Sequence, residues 1–259
     1  MKRRQVYQPA GAFLLPAFHQ IYNNFAAGLR KISMEIMQHF KACIFNLDGV
    51  IVDTRKYHYQ AWRRLANQMG FDFPESKSIH LKDIGRLASL EKVLEWGNIY
   101  VPEAEKLHWA DVKNNWYQDL IATMKPGEVL PGVLLFLRQL RETGIKTALS
   151  SLSRNARVVL QSTNIDTFFD VVLDGNAIKK PKPDPQCFLL AAAALHLKPE
   201  ECIVFDDSVR GVDAALIGGF TVVGVGQPAI LSKAHLTITG FENLNFNTLL
   251  AQLNLREVS

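Results

Sequence analysis

The chain has 259 residues, of which 48% are hydrophobic, 10% aromatic and 21% charged, so it can bury a full globular core with room for an inserted domain. Its formal charge of +4 arises at the amino-terminal end, because residues 1–33 hold five basic residues and no acidic one. The remainder is close to neutral, which argues against a nucleic-acid-binding surface. The three cysteines are far apart and outside any CxxC or Cys/His cluster, which argues against a disulfide framework or a zinc site.

The first 38 residues precede the first predicted strand. Their basic start and apolar run have the outline of a secretory signal, but Pro9, Pro16 and His19 interrupt the run. The run is also too short and broken to span a bilayer. We therefore expect an amino-terminal extension of unknown role over residues 1–38, with Met34 or Met37 as alternative starts. A cytoplasmic protein without a membrane partner fits these features and the cysteine pattern.

Apolar runs alternate with helical patterns from Lys41 onward. Short runs rich in β-branched or aromatic residues predict five strands, at 42–46, 145–150, 169–173, 202–206 and 221–225. Helical patterns lie among them at 133–144, 155–164, 185–196 and 209–219. This alternation predicts an α/β fold with a Rossmann-like, mainly parallel sheet core and helices on both faces.

The interval between the first two predicted strands is too long for a loop. From about residue 55 to residue 125 the pattern is almost wholly helical and rich in aromatic residues. We predict a helical cap domain over 55–125, inserted into a core domain made of 39–54 and 126–259. Most of the aromatic residues are expected to pack inside this cap, which is a candidate lid over the strand ends.

Polar side chains follow four of the predicted strands at their carboxyl ends. Open parallel sheets bind ligands at this edge. Acidic oxygens there suit Mg²⁺, and hydroxyl, backbone amide and ammonium groups suit a phosphoryl group. The candidates in chain order are Asn46, Asp48, Asp53, Ser151, Ser153, Arg154, Asn155, Lys180, Asp206 and Asp207.

Several short motifs resemble those of the haloacid dehalogenase (HAD) superfamily of phosphotransferases over about residues 41–227. They are "CIFNLDGV", the serine at position 151, "KPKPDP" and "FDDSVRGVDAA". Within this superfamily, "DTRKYHYQAW", "LKDIGRLASL" and "SSLSRNA" are similar to the β-phosphoglucomutase subgroup. The resemblance implies the HAD fold with an inserted helical cap, a Mg²⁺ cofactor and a small sugar phosphate as substrate. We expect a monomer.

The resemblance also implies a role for each site residue. Position 46 attacks a phosphoryl group to form an aspartyl-phosphate, Asp48 acts as general acid and then base, and His58 helps to position Asp48. Arg86 of the cap holds the second phosphate of a sugar bisphosphate. The implied metal ligands are residue 46, the Asp48 carbonyl and Asp207, with Asp206 nearby. The other implied substrate contacts are Trp62, Ser151, Ser153, Arg154, Asn155 and Lys180.

Asn46 stands where the superfamily pattern has Asp. An amide is a very poor nucleophile, and the replacement removes one negative charge from the implied metal site. Either this copy was altered to arrest turnover, or it is a naturally degenerate paralogue. Asp83 and Gly85 also depart from the usual cap-loop pattern, "KG(V/I)SRxxS". Three functions stay open: a β-phosphoglucomutase, a HAD sugar-phosphate phosphatase, and an inactive phosphosugar-binding paralogue.

Overall fold

A computed structural model describes residues 39–81 and 84–257 of the chain. The extension predicted over residues 1–38 and the cap-loop departure at Asp83 therefore lie outside the described residues. The centre is a six-stranded, all-parallel sheet of order β3-β2-β1-β4-β5-β6, which confirms the predicted fold class. The strands are β1 (Ala42–Phe45), β2 (Lys146–Ser150), β3 (Val171–Leu173), β4 (Cys202–Asp206), β5 (Thr221–Val225) and β6 (Leu236–Ile238).

The α-helices of the described residues are α1 (Arg55–Gln68), α2 (Glu75–Ser78), α3 (Arg86–Gly97), α4 (Glu103–Ala122), α5 (Val133–Glu142), α6 (Ala156–Ser162), α7 (Gln186–Ala194), α8 (Val209–Ile217) and α9 (Phe246–Glu257). The four helices predicted around the strands correspond to α5, α6, α7 and α8. Each ends before its predicted limit because a residue with positive φ terminates the helix. These residues are Gly144, Asn164, His196 and Gly219.

The sequence patterns do not predict β6 or α9. β6 is only three residues long and pairs with β5 alone at the sheet edge, so its apolar run is too short to be distinguished from a loop. α9 contacts β6 and α5 in the folded chain. Its placement depends on tertiary packing that local sequence patterns do not encode.

Helices α1 to α4 lie between β1 and β2 where the cap is predicted. The described residues from Arg55 to Ala122 form helices and no strand. α1, α3 and α4 pack around an apolar cluster that includes Trp62, Leu90 and Ala110. The division of the chain into domains at residues 54 and 125 stays a prediction.

Helices cover both faces of the sheet. On one face, α7 and α8 pack against alternate strand residues such as Ile44 and Val204. On the other face the rings of Phe45 and Phe205 stack with centroids 4.8 Å apart, and Phe136 of α5 and Phe241 lie against them. Successive strand residues point to opposite faces, so both faces of this central sheet are apolar.

The strand order determines where the loops separate. β2 and β3 follow on one side of β1, whereas β4, β5 and β6 follow on the other. The connection that leaves β1 therefore runs to one side of the sheet, and the connection that leaves β4 runs to the other side. This divergence leaves a crevice at the carboxyl ends of these two strands. Asn46 directly follows β1 and Asp206 ends β4, so both predicted site residues lie at this crevice.

We expect Phe205→Ala to lower the free energy of unfolding by about 3–5 kcal/mol, because it leaves a cavity beneath the stacked rings. Urea denaturation followed by circular dichroism measures the change. The matched control is Leu135→Ala on α5, where the side chain is 57% exposed, with an expected change within about 0.5 kcal/mol. Equal losses in the two variants would contradict this account of the core.

Candidate active site

A buried lysine connects the carboxyl ends of β1 and β4. Lys182 is 1% exposed, and its Nζ atom donates to Asp206 Oδ2 at 2.6 Å and to Asn46 Oδ1 at 3.2 Å. Asp206 is fully buried and Asn46 is 6% exposed. Because a buried ammonium group is tolerated only when it is paired and hydrogen-bonded, these three side chains form one interdependent unit. We call it the lysine unit.

The structure does not bring Lys180 into this unit, which corrects the sequence-based choice of lysine. The Lys180 side chain is 63% exposed, and its Nζ lies 3.3 Å from Asp184 Oδ2. Both Lys180 and Lys182 are followed by proline in "KKPKPDP", so the local pattern does not distinguish them. Only the path of the loop turns Lys182 inward. Lys182 is therefore the lysine that lies at the strand ends, where the sequence predicts a phosphate-holding lysine.

Helix α8 supports both members of the ion pair. Arg210 Nε donates to the Lys182 carbonyl oxygen at 2.8 Å, and Arg210 Nη2 donates to the same oxygen. Asp206 Oδ1 accepts hydrogen bonds from the Ser208 backbone N–H at 2.9 Å and from Ser208 Oγ at 2.8 Å. Both carboxylate oxygens of Asp206 are thus engaged by protein donors.

Two glycines allow close approach of the acidic pair to the backbone. A Cβ atom at Gly211 would lie 1.9 Å from Asp206 Oδ1, and one at Gly49 would lie 1.8 Å from Asp207 Oδ2. Gly49 also has a φ of +76°, which side-chain-bearing residues rarely adopt. Asp207 therefore lies directly against the turn that follows β1, beside Asp48.

The predicted metal ligands fit Mg²⁺ in donor type but not in the arrangement of Asn46. Asn46 Nδ2 donates to the Asp48 carbonyl at 3.0 Å, while Oδ1 accepts from Lys182. Turning the amide over would direct its NH₂ at the ammonium, so hydrogen bonding fixes this orientation. A cation between Asn46 and that carbonyl needs an oxygen where the nitrogen lies. Among the described residues, no group of three or more His, Cys, Asp and Glu side chains is arranged to hold a metal.

Asp48 and Asp53 have different partners in the loop after β1. The fully buried Thr54 donates through Oγ1 to Asp48 Oδ1. Asp53 instead accepts Arg55 Nε at 2.8 Å and Arg55 Nη2 at 2.6 Å. The hydrogen bond from Arg55 lowers the pKa of Asp53. Asp48 accepts a hydrogen bond from a hydroxyl group, and it stays the predicted candidate for proton transfer.

Another group of polar and aromatic side chains lies on helices α1 and α4 of the predicted cap. Lys113 Nζ is 3.0 Å from His58 Nδ1. The same ammonium group lies 4.5 Å from the ring centroid of Trp62 and 4.9 Å from that of Tyr117. The Tyr117 and His58 rings stack with centroids 4.0 Å apart. The structure thus brings the predicted residues His58 and Trp62 together around a lysine that the sequence analysis does not include.

Burial is the main cause of the pKa shifts of Lys113, His58 and Tyr117. It lowers the pKa of Lys113 to about 7, with a second contribution from the charge of Arg86. Burial, followed by the charge of Lys113, also lowers the pKa of His58 well below its ordinary value. The pKa of Tyr117 is raised by burial and then by the negative charge of Asp48. The negative charge of Asp48 therefore acts on the Tyr117 side of this group.

The remaining predicted substrate-binding residues lie in the turn after β2 and at the start of α3. The Ser153 backbone N–H donates to Ser151 Oγ at 3.1 Å, and the Asn155 backbone N–H donates to Ser153 Oγ at 3.2 Å, so the two hydroxyls shape the turn. Burial, followed by the positive charge of Arg154, lowers the pKa of Arg86. The positive charges of Arg86 and Arg154 together attract an anion.

Four residues of α4 contact predicted site residues, but the sequence motifs do not identify these four. They are Lys113, Asn114, Tyr117 and Gln118. Positions 113 and 117, like positions 114 and 118, are four residues apart and therefore share one side of the helix. This i, i+4 repetition of polar residues within an aromatic-rich helix is the signal that could have identified them.

Comparisons with known proteins agree with the geometry. The sequence profile of the haloacid dehalogenase-like hydrolase family matches residues 40–219. The β-phosphoglucomutase of Bacillus subtilis (strain 168) is 38% identical over 211 residues, which span 81% of this chain and 93% of that protein. The chain belongs to the haloacid dehalogenase-like hydrolase family.

Two further HAD-family relatives extend the comparison. A crystal structure of β-phosphoglucomutase from Clostridium difficile superposes with a TM-score of 0.79 at 39% identity, covering 85% of this chain and all of that one. The phosphorylated carbohydrates phosphatase of Thermotoga maritima is 31% identical, over 69% of this chain and 82% of that protein. Within the described residues, no helix is long and apolar enough to cross a membrane.

We expect Lys182→Met to weaken the binding of glucose 6-phosphate by about 10- to 100-fold, because it removes a charge-assisted hydrogen bond. Lys180→Met should leave the affinity within about 2-fold, since an exposed lysine is screened by solvent. Calorimetry measures both affinities, and thermal denaturation checks that each variant is folded. Loss of binding in Lys180→Met but not in Lys182→Met would reverse the assignment.

The lowered pKa of Lys113 predicts a pH dependence of folding. The unfolded chain keeps this proton up to the ordinary lysine value of 10.5, whereas the folded chain releases it near 7. Unfolding therefore takes up a proton above pH 7, and stability should rise with pH up to about 10, by at most about 1.4 kcal/mol per pH unit.

Lys113→Met should remove this contribution. The measurement is the difference in unfolding free energy between the parent and the variant, from urea titrations at several pH values above and below 7. Lys92→Met, at an exposed position of α3, is the matched control and should keep the slope of the parent. A parallel pH profile for parent and Lys113→Met would contradict the lowered pKa.

Proposed function

We propose that this chain carries the sugar-phosphate site of a β-phosphoglucomutase, the HAD phosphotransferase that converts β-glucose 1-phosphate to glucose 6-phosphate through an aspartyl-phosphate. The observation that carries the proposal is the lysine unit at the carboxyl ends of β1 and β4, next to Asp48. The β-phosphoglucomutase relatives support the substrate class. We further propose a cytoplasmic monomer whose ligand is this small molecule.

In this proposal each side chain has a distinct task. The Lys182 ammonium and the Ser151 hydroxyl hold the transferring phosphate at the strand ends. Asp48, held by Thr54, protonates the leaving oxygen and later accepts the proton of the incoming hydroxyl. His58 and Trp62, around Lys113, form the cap side of the sugar cavity and help to exclude water.

The second phosphate of the bisphosphate intermediate is proposed to lie between cap and core. Arg86, Ser153, Arg154 and Asn155 surround this position, and the two guanidinium groups supply the positive charge. A clamp at each end lets the intermediate bind in either orientation, so each phosphate in turn can reach residue 46.

Asn46 determines whether the chain can complete this reaction. Its amide has no nucleophilic oxygen comparable with a carboxylate, and both ends of the amide are engaged, by Lys182 and by the Asp48 carbonyl. The chain as written should therefore bind sugar phosphates without forming a phosphoenzyme. Mg²⁺, the cofactor implied by the family, should bind this chain more weakly than the Asn46→Asp variant, whose site would have only oxygens facing the cation.

The double hydrogen bonding of Asn46 also favours a second candidate function, that of a phosphosugar-binding protein without turnover. In this alternative the amide is a stable part of the site. A third possibility, a sugar-phosphate phosphatase, is supported by the Thermotoga relative. The same experiment distinguishes all three.

We expect Asn46→Asp to create Mg²⁺-dependent conversion of β-glucose 1-phosphate to glucose 6-phosphate, whereas the parent chain shows at most a trace. The expected ratio is large, on the order of the ~10⁶-fold lost when a hydrolase loses its nucleophile. A coupled assay for glucose 6-phosphate, started with a catalytic amount of glucose 1,6-bisphosphate and repeated with EDTA, measures it. Mass spectrometry verifies that Asn46 has not deamidated.

Each outcome of this assay selects one function. Release of inorganic phosphate without glucose 6-phosphate by Asn46→Asp would support the phosphatase. An inert Asn46→Asp variant that still binds sugar phosphate would support the binding protein. Robust turnover by the parent chain with intact Asn46 would refute the proposed mechanism.

A further inference from the structure

Side-chain amides connect helix α4 of the predicted cap to the turn after β2. Asn155, in the turn after β2, is 5% exposed and donates through Nδ2 to Asn114 Oδ1 of α4 at 2.9 Å. Gln118, one turn further along α4, donates through Nε2 to Asn155 Oδ1 at 2.8 Å. Both ends of the Asn155 amide are therefore held by the same face of one cap helix. We call Asn114, Gln118 and Asn155 the amide bridge.

The oxygen of Asn114 has a second donor from the cap. Arg86 Nη2 donates to Asn114 Oδ1 at 2.9 Å, and Arg86 Nη1 donates to Asp111 Oδ1 at 2.8 Å. A carbonyl oxygen has two lone pairs, so one oxygen can accept both hydrogen bonds. Asn114 thereby fixes the guanidinium group of Arg86 relative to the amide of Asn155. Asp111 supports the other side of the same guanidinium group.

These hydrogen bonds matter because the guanidinium group of Arg86 is repelled by a like charge and loses contact with water. It is partly buried, and Arg154 of the core adds a like charge. A long side chain in such a position moves away from the repulsion unless an acceptor holds it. Asp111 already holds Nη1 through a carboxylate, and Asn114 holds Nη2 with a neutral oxygen, so Asn114 fixes the second nitrogen without adding a further negative charge.

We propose that Asn114 is a positioning residue, which holds the guanidinium group of Arg86 where it can bind the second phosphate of a sugar bisphosphate beside Asn155. The inference rests on the proposed function and extends it to a residue that does not itself need to touch the ligand. Asn114 acts through Arg86, and its loss lets the guanidinium group turn toward Asp111 and solvent.

The test is a double-mutant cycle on the full chain, with glucose 1,6-bisphosphate as the ligand and calorimetry as the measurement. Asn114→Leu keeps the size of the side chain and removes the acceptor, and Arg86→Met removes the guanidinium group. We expect about a 10-fold loss of affinity in Asn114→Leu. Because Asn114 acts through Arg86, the double variant should bind no more than about 2-fold more weakly than Arg86→Met alone.

Two more variants separate positioning from stability. Asn114→Gln keeps the amide but shifts its oxygen by one methylene, so it should also lose several-fold in affinity while its thermal midpoint stays near that of the parent. If Asn114→Leu does not fold, Asn114→Gln still gives the answer. Asn115→Leu, at the exposed neighbouring position of α4, is the matched control and should bind like the parent.

The possible results have distinct meanings. Three results would overturn the inference: additive losses in the cycle, full affinity in Asn114→Gln, and tighter binding by Asn114→Leu. Tighter binding by Asn114→Leu would mean that the amide bridge competes with the ligand. A parent chain that binds bisphosphate but shows one of these results disproves the role of Asn114 alone. A parent chain that does not bind the bisphosphate disproves the proposed function, and the inference with it.

Discussion

Lys182 carries a positive charge into the interior, and the residues around it are arranged to compensate that charge. Asp206 supplies the counter-charge at 2.6 Å, Asn46 supplies a neutral acceptor at 3.2 Å, and Arg210 holds the backbone of the same lysine from α8. Removing one of these partners takes a hydrogen bond from a buried polar or charged group, which is more costly than losing a surface contact. The loops after β1, β3 and β4 therefore depend on one another.

The identity of residue 46 sets the charge balance of this unit. With Asn46, the lysine and Asp206 neutralise each other, so the unit is neutral before any ligand arrives. An aspartate at position 46 would give the unit a net charge of −1, which would repel a phosphate unless a cation were present. The amide orientation agrees with this balance, because its nitrogen donates to the Asp48 carbonyl and its oxygen accepts from Lys182. A single atom type at residue 46 would thus change both the proposed nucleophile and the proposed metal site.

The cap meets the core differently from the way the core is held together. The sheet faces bury stacked aromatic rings such as Phe45 and Phe205, whereas the amide bridge consists of a few polar contacts beside the crevice. Polar contacts of this kind have a small net contribution to stability, because water or a ligand can replace them.

The sequence by itself determined the α/β class, the first five strands, the helices between them and the family, because hydrophobic periodicity and strand-end motifs are local properties. It also placed Asn46, Asp48, Asp206 and Asp207 at one edge, since parallel strands bring their carboxyl ends together. Only the tertiary structure distinguishes Lys182 from Lys180. Both lysines precede a proline, and the path of the loop buries Lys182 and leaves Lys180 exposed. The tertiary structure alone brought Lys113 and Asn114 to the site, since contacts between α4 and residues far away in the chain leave no local pattern that specifies a partner.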